Sequence, residues 1–151
     1  MEKVRSFNTL YGELIDILVR QFPHITKLQE FGGIYRLLVK ANPRGPMQYF
    51  IKNVSKYAEN IFNEDVDFFL GNAKINSNVS KLVTDSGLNE LWGNLDKESQ
   101  KNIWRYLQGL IKLGYSSYGI RGKERIVEHQ RHIQESNTPV LQYLESVYGA
   151  N

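Results

Sequence analysis

Apolar residues recur at intervals of three and four along most of this chain, the spacing that places side chains on one face of an α-helix. The clearest example runs from Leu88 to Leu113 and contains both tryptophans. Asp96 precedes its second half and is expected to accept hydrogen bonds from the N–H groups of the first turn, while Gly114 is expected to end the helix. The apolar positions of this half share one broad face, which consists of Ile103, Trp104, Tyr106, Leu107, Leu110 and Ile111.

The upstream half of the same stretch repeats the pattern, with a corner near Asn94 where the chain is expected to turn. Its apolar positions are Leu88, Leu91, Trp92 and Leu95. The two halves are therefore predicted to form an antiparallel helical hairpin. Tryptophan is enriched at protein interfaces, so either indole is a candidate anchor for a partner. Because periodicity of this kind mostly marks burial, we instead predict that Trp92 and Trp104 lie in or beside the core.

Two helices are predicted near the N-terminus. The first is expected over residues 7–21, with Ser6 as its N-cap. The second is expected to start with a capping box formed by Thr26 and Gln29. Its apolar positions lie on one face, which consists of Leu28, Phe31, Tyr35, Leu38 and Val39.

The middle of the chain is less regular. A third helix is predicted over residues 46–61, since Pro46 fits the first turn of a helix. Residues 63–70 form an acidic stretch followed by a bulky apolar trio, which is typical of the first turn of a short helix. Residues 71–78 are loop-like in composition, and Val79, Leu82 and Val83 are predicted to start the helix that leads through Gly87 into the hairpin.

The composition changes after Gly114. Residues 115–122 are typical of a linker, and residues 123–135 are polar with few apolar positions. Thr138 and Pro139 make a good start for a last short amphipathic helix. We predict an all-α fold, a compact bundle of about six or seven helices with a C-terminal helical tail. Residues 1–114 are expected to form the helical core domain. Residues 115–151 are expected to form a linker and a C-terminal helical tail, either part of the same domain or an arm that docks on a partner.

The net charge of +3 is unevenly distributed along the chain. Residues 20–56 contain one acid, Glu30, whereas residues 59–67 contain four acids and no base. A basic region of this kind suits an anionic partner, either nucleic acid or an acidic protein surface, although single basic residues also occur on ordinary solvated helix faces. Its candidate contact residues are Arg20, Arg36, Lys40, Arg44, Lys52 and Lys56.

Several classes of function are disfavoured by what the 151 residues lack. There is no cysteine, which removes disulfides, thiolate metal sites and a cysteine nucleophile. No apolar run reaches the roughly twenty residues of a membrane helix, and the first residues lack the apolar segment of a signal peptide. No catalytic motif, cofactor motif or small-molecule site is evident. We therefore expect a protein that is not an enzyme, needs no cofactor and is not secreted.

Two further groups of residues in the C-terminal part are considered as candidate sites, one for a metal ion and one for nucleic-acid bases. Glu128 and His132 are one helical turn apart with His129 between them, an arrangement that can contribute to a metal site. Titratable residues at this spacing are also common on solvated helices, and no fourth ligand is evident, so no metal is predicted. Tyr115 and Tyr118 precede Arg121, an interleaving found on surfaces that stack nucleic-acid bases.

Four phrases, taken together, resemble a group of small helical proteins encoded by large nucleocytoplasmic DNA viruses. They are Lys40-Ala41-Asn42-Pro43, Asn63-Glu64-Asp65-Val66-Asp67-Phe68-Phe69-Leu70, Leu91-Trp92-Gly93-Asn94-Leu95 and Asn102-Ile103-Trp104-Arg105-Tyr106-Leu107-Gln108. The resemblance covers roughly residues 7–113. It implies a viral origin and a location in the virus particle or in the virus factory of the host cytoplasm. It implies no catalytic residue.

The sequence thus leads to two hypotheses of different classes. In the first, the chain is a non-enzymatic viral protein that acts through protein–protein contacts or self-association, as a virion or minor capsid-associated component. In the second, it binds nucleic acid through the basic region between Arg20 and Lys56.

Overall fold

Helices account for nearly all of the structure. The computed structural model describes residues 2–67 and 92–149, and no β-strand occurs in them. The described elements are α1 (Glu2–Gln21), α2 (Thr26–Ala41), α3 (Gly45–Val54), a 3-10 turn (Ser55–Tyr57), α4 (Ala58–Phe62), α5 (Lys97–Ser116), α6 (Lys123–Ser136) and α7 (Val140–Gly149). The predicted all-α bundle is therefore confirmed. The predictions for residues 68–91, including the first half of the hairpin from Leu88 to Leu91, lie outside the described residues.

Helix α5 is at the centre of the bundle, in contact with α1, α3, α4 and α6. Its apolar face is the one that the sequence predicts, because residues three and four apart meet the neighbouring helices together. Its start is also as predicted: the Asp96 carboxylate accepts a hydrogen bond from the Ser99 N–H at 2.7 Å. Among the residues that the structure describes, the largest fully buried side chains are Tyr115, Phe7, Met47, Ile51, Ile61, Leu110, Ile111, Ile120, Ile126 and Leu144.

Both tryptophans belong to this core, as predicted. Trp104 is buried, Trp92 is half-buried, and the two rings meet edge to face with their centroids 5.7 Å apart. An edge-to-face arrangement is favourable because the positive edge of one ring meets the negative face of the other. Neither indole is presented to solvent as an isolated anchor.

The predicted start of the first helix and the predicted cap of the second are wrong, whereas α1 ends at Gln21 as predicted. Helix α1 begins at Glu2, so Ser6 lies inside it and caps nothing. Helix α2 is preceded by Ile25, with no side-chain cap, and the Gln29 amide instead donates to the Pro23 carbonyl at 2.9 Å. In a capping box the side-chain oxygen of Gln29 would accept from a backbone N–H, whereas here its Nε2 donates to a carbonyl of the turn between the two helices.

The predicted third helix is interrupted. Helix α3 ends at Val54, a 3-10 turn follows, and α4 resumes at Ala58. The tighter turn exposes the Lys56 carbonyl and the Glu59 N–H, and both are bonded by the side chain of Gln130 from α6. Periodicity did not reveal this break because the partner that stabilises it lies far away in sequence.

The predicted end of α5 is also wrong. The helix continues past Gly114 to Ser116, and Gly114 is buried inside it. A methyl group at Gly114 would lie 2.9 Å from Cγ1 of Ile51 and would also overlap its Cδ1. The glycine is therefore needed for the close approach of α3, where a larger side chain has no space.

Residues 115–122, expected to be a linker, contribute to the core. Tyr115, Tyr118 and Ile120 are each no more than 5 % exposed. The two tyrosines are thus not available as a stacking surface for bases. Beyond them, α6 packs on α4 and α7 packs on α3 within the same chain.

Candidate protein-docking surfaces

Helix α2 packs on the bundle through one narrow side. Leu28, Gly32 and Tyr35 are its buried residues. A methyl group at Gly32 would lie 3.3 Å from Cγ2 of Ile15, so α1 and α2 approach closely at that point. The Tyr35 hydroxyl donates to the Asn8 carbonyl at 2.6 Å and ties the two helices together. Burial raises the pKa of the Tyr35 phenol to about 12, so it stays protonated as a donor.

The outer side of the same helix carries an apolar stripe that faces solvent, here called the α2 apolar face. It consists of Phe31, Ile34, Leu37 and Leu38. Leu37 is 69 % exposed and Ile34 is 55 % exposed. Contiguous exposed apolar patches are uncommon on monomeric proteins and mark interaction sites when they occur.

This surface extends towards α3. The Phe31 ring meets Tyr11 with centroids 6.3 Å apart, and the neighbouring Tyr49 is 61 % exposed. Burial, together with the nearby phenols of Tyr35 and Tyr49, raises the pKa of Tyr11. A partner on the α2 apolar face would therefore also reach an aromatic side chain of the next helix.

The sequence contained a signal for this surface that the single-face prediction did not use. Phe31 and Leu38 were placed with Leu28 on one apolar face, but only Leu28 and Tyr35 of that set are buried. Ile34 and Leu37 fall outside the predicted face altogether. When the apolar arc of a helix is wider than one neighbouring helix can cover, the uncovered part indicates a second contact surface.

A groove of about 610 Å³ lies on the other flank of α2, between α2 and α1. We call it the α1–α2 groove. Its apolar lining consists of Val4, Tyr35, Val39 and Pro43. Arg5, Arg36 and Lys40 also line it, and none of its described lining residues is acidic, although Asp16 pairs with Arg36 at 3.1 Å. The groove thus combines an apolar lining with positive charge.

The structure divides the six predicted basic residues among several places. Arg36 and Lys40 share the α1–α2 groove, where the structure adds Arg5. Lys52 and Lys56 line a separate cleft beside α6 and the start of α7. Arg20 and Arg44 line neither. Sequence proximity could not predict this division, because the relative orientation of α1, α2 and α3 decides it.

A third, open cleft of about 780 Å³ runs along α6, where it meets α4 and α7. The Arg131 guanidinium pairs with Glu59 across it at 2.6 Å. His129 Nδ1 lies 2.7 Å from the Tyr143 hydroxyl, and the His132 ring also packs against Tyr143. Burial and the nearby Arg125 lower the pKa of His129. Among the described residues, no three His, Asp or Glu side chains are grouped closely enough to hold a metal ion.

Comparisons with protein-family models, with curated protein sequences and with solved structures find no match to this chain. None of the helices in residues 2–67 and 92–149 combines the length and apolar character needed to cross a membrane. The candidate docking surfaces are therefore identified from the structure alone. They are the α2 apolar face and the α1–α2 groove, which lie on different flanks of helix α2.

Proposed function

We propose that this chain is a non-enzymatic protein of a large nucleocytoplasmic DNA virus, incorporated in the particle through protein–protein contacts. The observation that carries the proposal is the α2 apolar face. Its partner is the apolar surface of another particle protein that buries Ile34 and Leu37 at the centre of the contact. Burial of aliphatic side chains contributes about 25 cal/mol for each Å² removed from water, which favours association here.

The exposure of these apolar side chains in the free chain also supports the proposal. Exposed leucine and isoleucine side chains contribute little to folding, and as a contiguous patch they promote association. Ile34, Leu37 and Leu38 belong neither to the core around α5 nor to the residues packed against it, so this core does not need them. A surface that folding does not require is explained when a partner covers it.

Particle composition tests this proposal. The double variant Ile34→Asp/Leu37→Asp introduces charge at the centre of the α2 apolar face. We expect it to accumulate in infected cells to the wild-type level but to be lost from purified particles, as measured by quantitative mass spectrometry. The matched control, Ser6→Asp/Asn102→Asp, adds the same charge at exposed positions of α1 and α5 and should be retained. Absence of the wild-type chain from particles, or equal retention of both variants, would refute the proposal.

Nucleic-acid binding is the second candidate, favoured by the positive charge of Lys52 and Lys56, which line one cleft together. Binding through phosphate contacts releases counterions, so its affinity falls steeply with salt concentration. Fluorescence anisotropy with labelled duplex and single-stranded DNA across a salt series measures this directly. Absent or salt-independent binding would remove this candidate.

A further inference from the structure

We infer that the α1–α2 groove is a docking site for an acidic, amphipathic peptide segment of a partner protein. The site lies on the flank of α2 away from the α2 apolar face, and the inference does not depend on that face. Its volume of about 610 Å³ lies within the range of ligand sites in proteins. Three features of the groove identify the occupant: its apolar lining, its charge and its fixed shape.

The apolar lining calls for an apolar side chain. Val39 and Pro43 are the more exposed of the apolar lining residues, while Val4 and Tyr35 are buried beneath them. Water in contact with such a surface is displaced favourably by an aliphatic group. A ligand made only of charged groups would leave this lining uncovered.

The charge calls for carboxylates. Arg36 and Lys40 are one helical turn apart along α2, and Arg5 lies across the groove on α1. Asp16 already pairs with Arg36 at 3.1 Å, but both side chains are more than half exposed and the pair is weak in water. A peptide with two carboxylates about one turn apart would meet Arg36 and Lys40 together. Arginine suits this role because its planar guanidinium can bond two acceptors.

The walls of the groove are held in place before any ligand arrives. Tyr35 bonds the Asn8 carbonyl at 2.6 Å, and the Asn8 amide donates to the Pro43 carbonyl at 2.8 Å. These two bonds connect α1, α2 and the turn that follows α2. A preformed site loses less conformational entropy on binding, which favours a specific ligand.

The same features argue against nucleic acid in this groove. Tyr35 is only 6 % exposed, so it offers no ring on which a base can stack. The apolar lining would face a charged phosphate backbone, which makes no favourable contact with apolar side chains. A peptide that alternates acidic and aliphatic residues uses both the lining and the charge.

The test is fluorescence anisotropy of the full chain with a fluorescein-labelled helical peptide of leucine and glutamate. We expect binding that weakens by about tenfold or more in the variant Arg36→Gln/Lys40→Gln, because two charge pairs are lost at the site. Lys52→Gln/Lys56→Gln removes the same charge from a different cleft and is the matched control. It should change the dissociation constant by less than about twofold, because distant exposed charges are screened. Thermal unfolding by circular dichroism checks that each variant is folded.

Two further probes make the result decisive. A peptide with serine in place of leucine should bind much more weakly, since it leaves the lining uncovered. A single-stranded oligonucleotide should not displace the labelled peptide. The inference is overturned if the wild-type chain does not bind the leucine–glutamate peptide, or if both charge variants weaken binding equally. It is also overturned if the serine peptide binds as tightly, or if the oligonucleotide competes effectively.

Discussion

The side-chain amide of Gln130 accepts a hydrogen bond from the backbone N–H of Glu59 at 2.9 Å, 71 positions away in sequence. Its Nε2 also donates to the Lys56 carbonyl at 2.7 Å. One nearly buried side chain of α6 thus satisfies a donor and an acceptor left open by the 3-10 turn. This pair of bonds couples the polar C-terminal helix to the central part of the chain.

Replacing Gln130 with leucine should lower the free energy of unfolding by about 1–3 kcal/mol. The reason is that leucine leaves the partly buried backbone N–H of Glu59 without a partner. Urea unfolding monitored by circular dichroism measures the change. The neighbouring Gln134 bonds the same Lys56 carbonyl at 3.2 Å but is exposed, so Gln134→Leu should cost less than about 0.5 kcal/mol. Equal losses in the two variants would show that Gln130 has no special role.

Gly114→Ala should destabilise the chain by about 1–3 kcal/mol, although alanine is the better helix former, because the added methyl overlaps Ile51. Gly33→Ala is the comparison. That position is helical with open space around it, so alanine should raise the free energy of unfolding by about 0.5–1 kcal/mol. In an Ile51→Val background the Gly114→Ala penalty should shrink. A penalty that is unchanged in that background would contradict the overlap as its cause.

The cap at Asp96 makes part of the stability depend on pH. Hydrogen bonds from Ser99, chiefly from its backbone N–H, lower the pKa of the Asp96 carboxyl. The ionised carboxylate is therefore favoured in the folded chain, and its contribution is present above the unfolded-state pKa and lost as the pH falls through the folded-state pKa. Asp96→Ala should lower the melting temperature near pH 7 but much less near about pH 2. Asp96→Asn keeps a good cap and should melt close to the wild type at neutral pH. A deficit of Asp96→Ala that is the same at both pH values would exclude this mechanism.

The pKa of His129 should respond in opposite directions to the loss of two charged neighbours. Burial first, and then Arg125, lower its pKa, whereas Glu128 raises it. Arg125→Gln should therefore raise the pKa of His129 and Glu128→Gln should lower it, as measured by NMR titration of the imidazole.

The neutral ring is favoured in the folded chain, so the unfolded chain binds the proton first as the pH falls below about 6.5. Stability should decline from that pH down to the folded-state pKa, and His129→Gln should lose this decline. Shifts in the same direction for the two neighbour variants would contradict this electrostatic explanation.

Local patterns predicted the parts of the fold that local physics controls. The apolar face of α5 and the Asp96 cap each depend on residues within one or two helical turns, so the sequence alone was sufficient. The burial of the two tryptophans followed for the same reason. The end of α5 was wrong because Gly114 allows the close approach of Ile51 from a distant part of the chain. The start of α1 and the cap of α2 were also wrong, although the bond from Gln29 to Pro23 that replaces the capping box is local.

The candidate surfaces were only partly predictable. Arg36 and Lys40 were recognised as basic candidates, but Arg5 was not, because it lies outside the basic region and joins it only through the packing of α1 on α2. The α2 apolar face was missed because Phe31 and Leu38 share a helical stripe with buried residues. Periodicity reports which residues share a face, and the number of neighbouring helices decides how much of that face is covered.

The sequence by itself determined that this chain forms a helical bundle around the stretch that begins at Asp96, since helical periodicity and capping are local properties of the backbone. Only the tertiary structure decided that α2 is covered on one narrow side, that Gly114 must stay small beside Ile51, and that Gln130 bridges a broken helix. These features arise from contacts between distant parts of the chain, and no spacing of residues along the sequence encodes them directly.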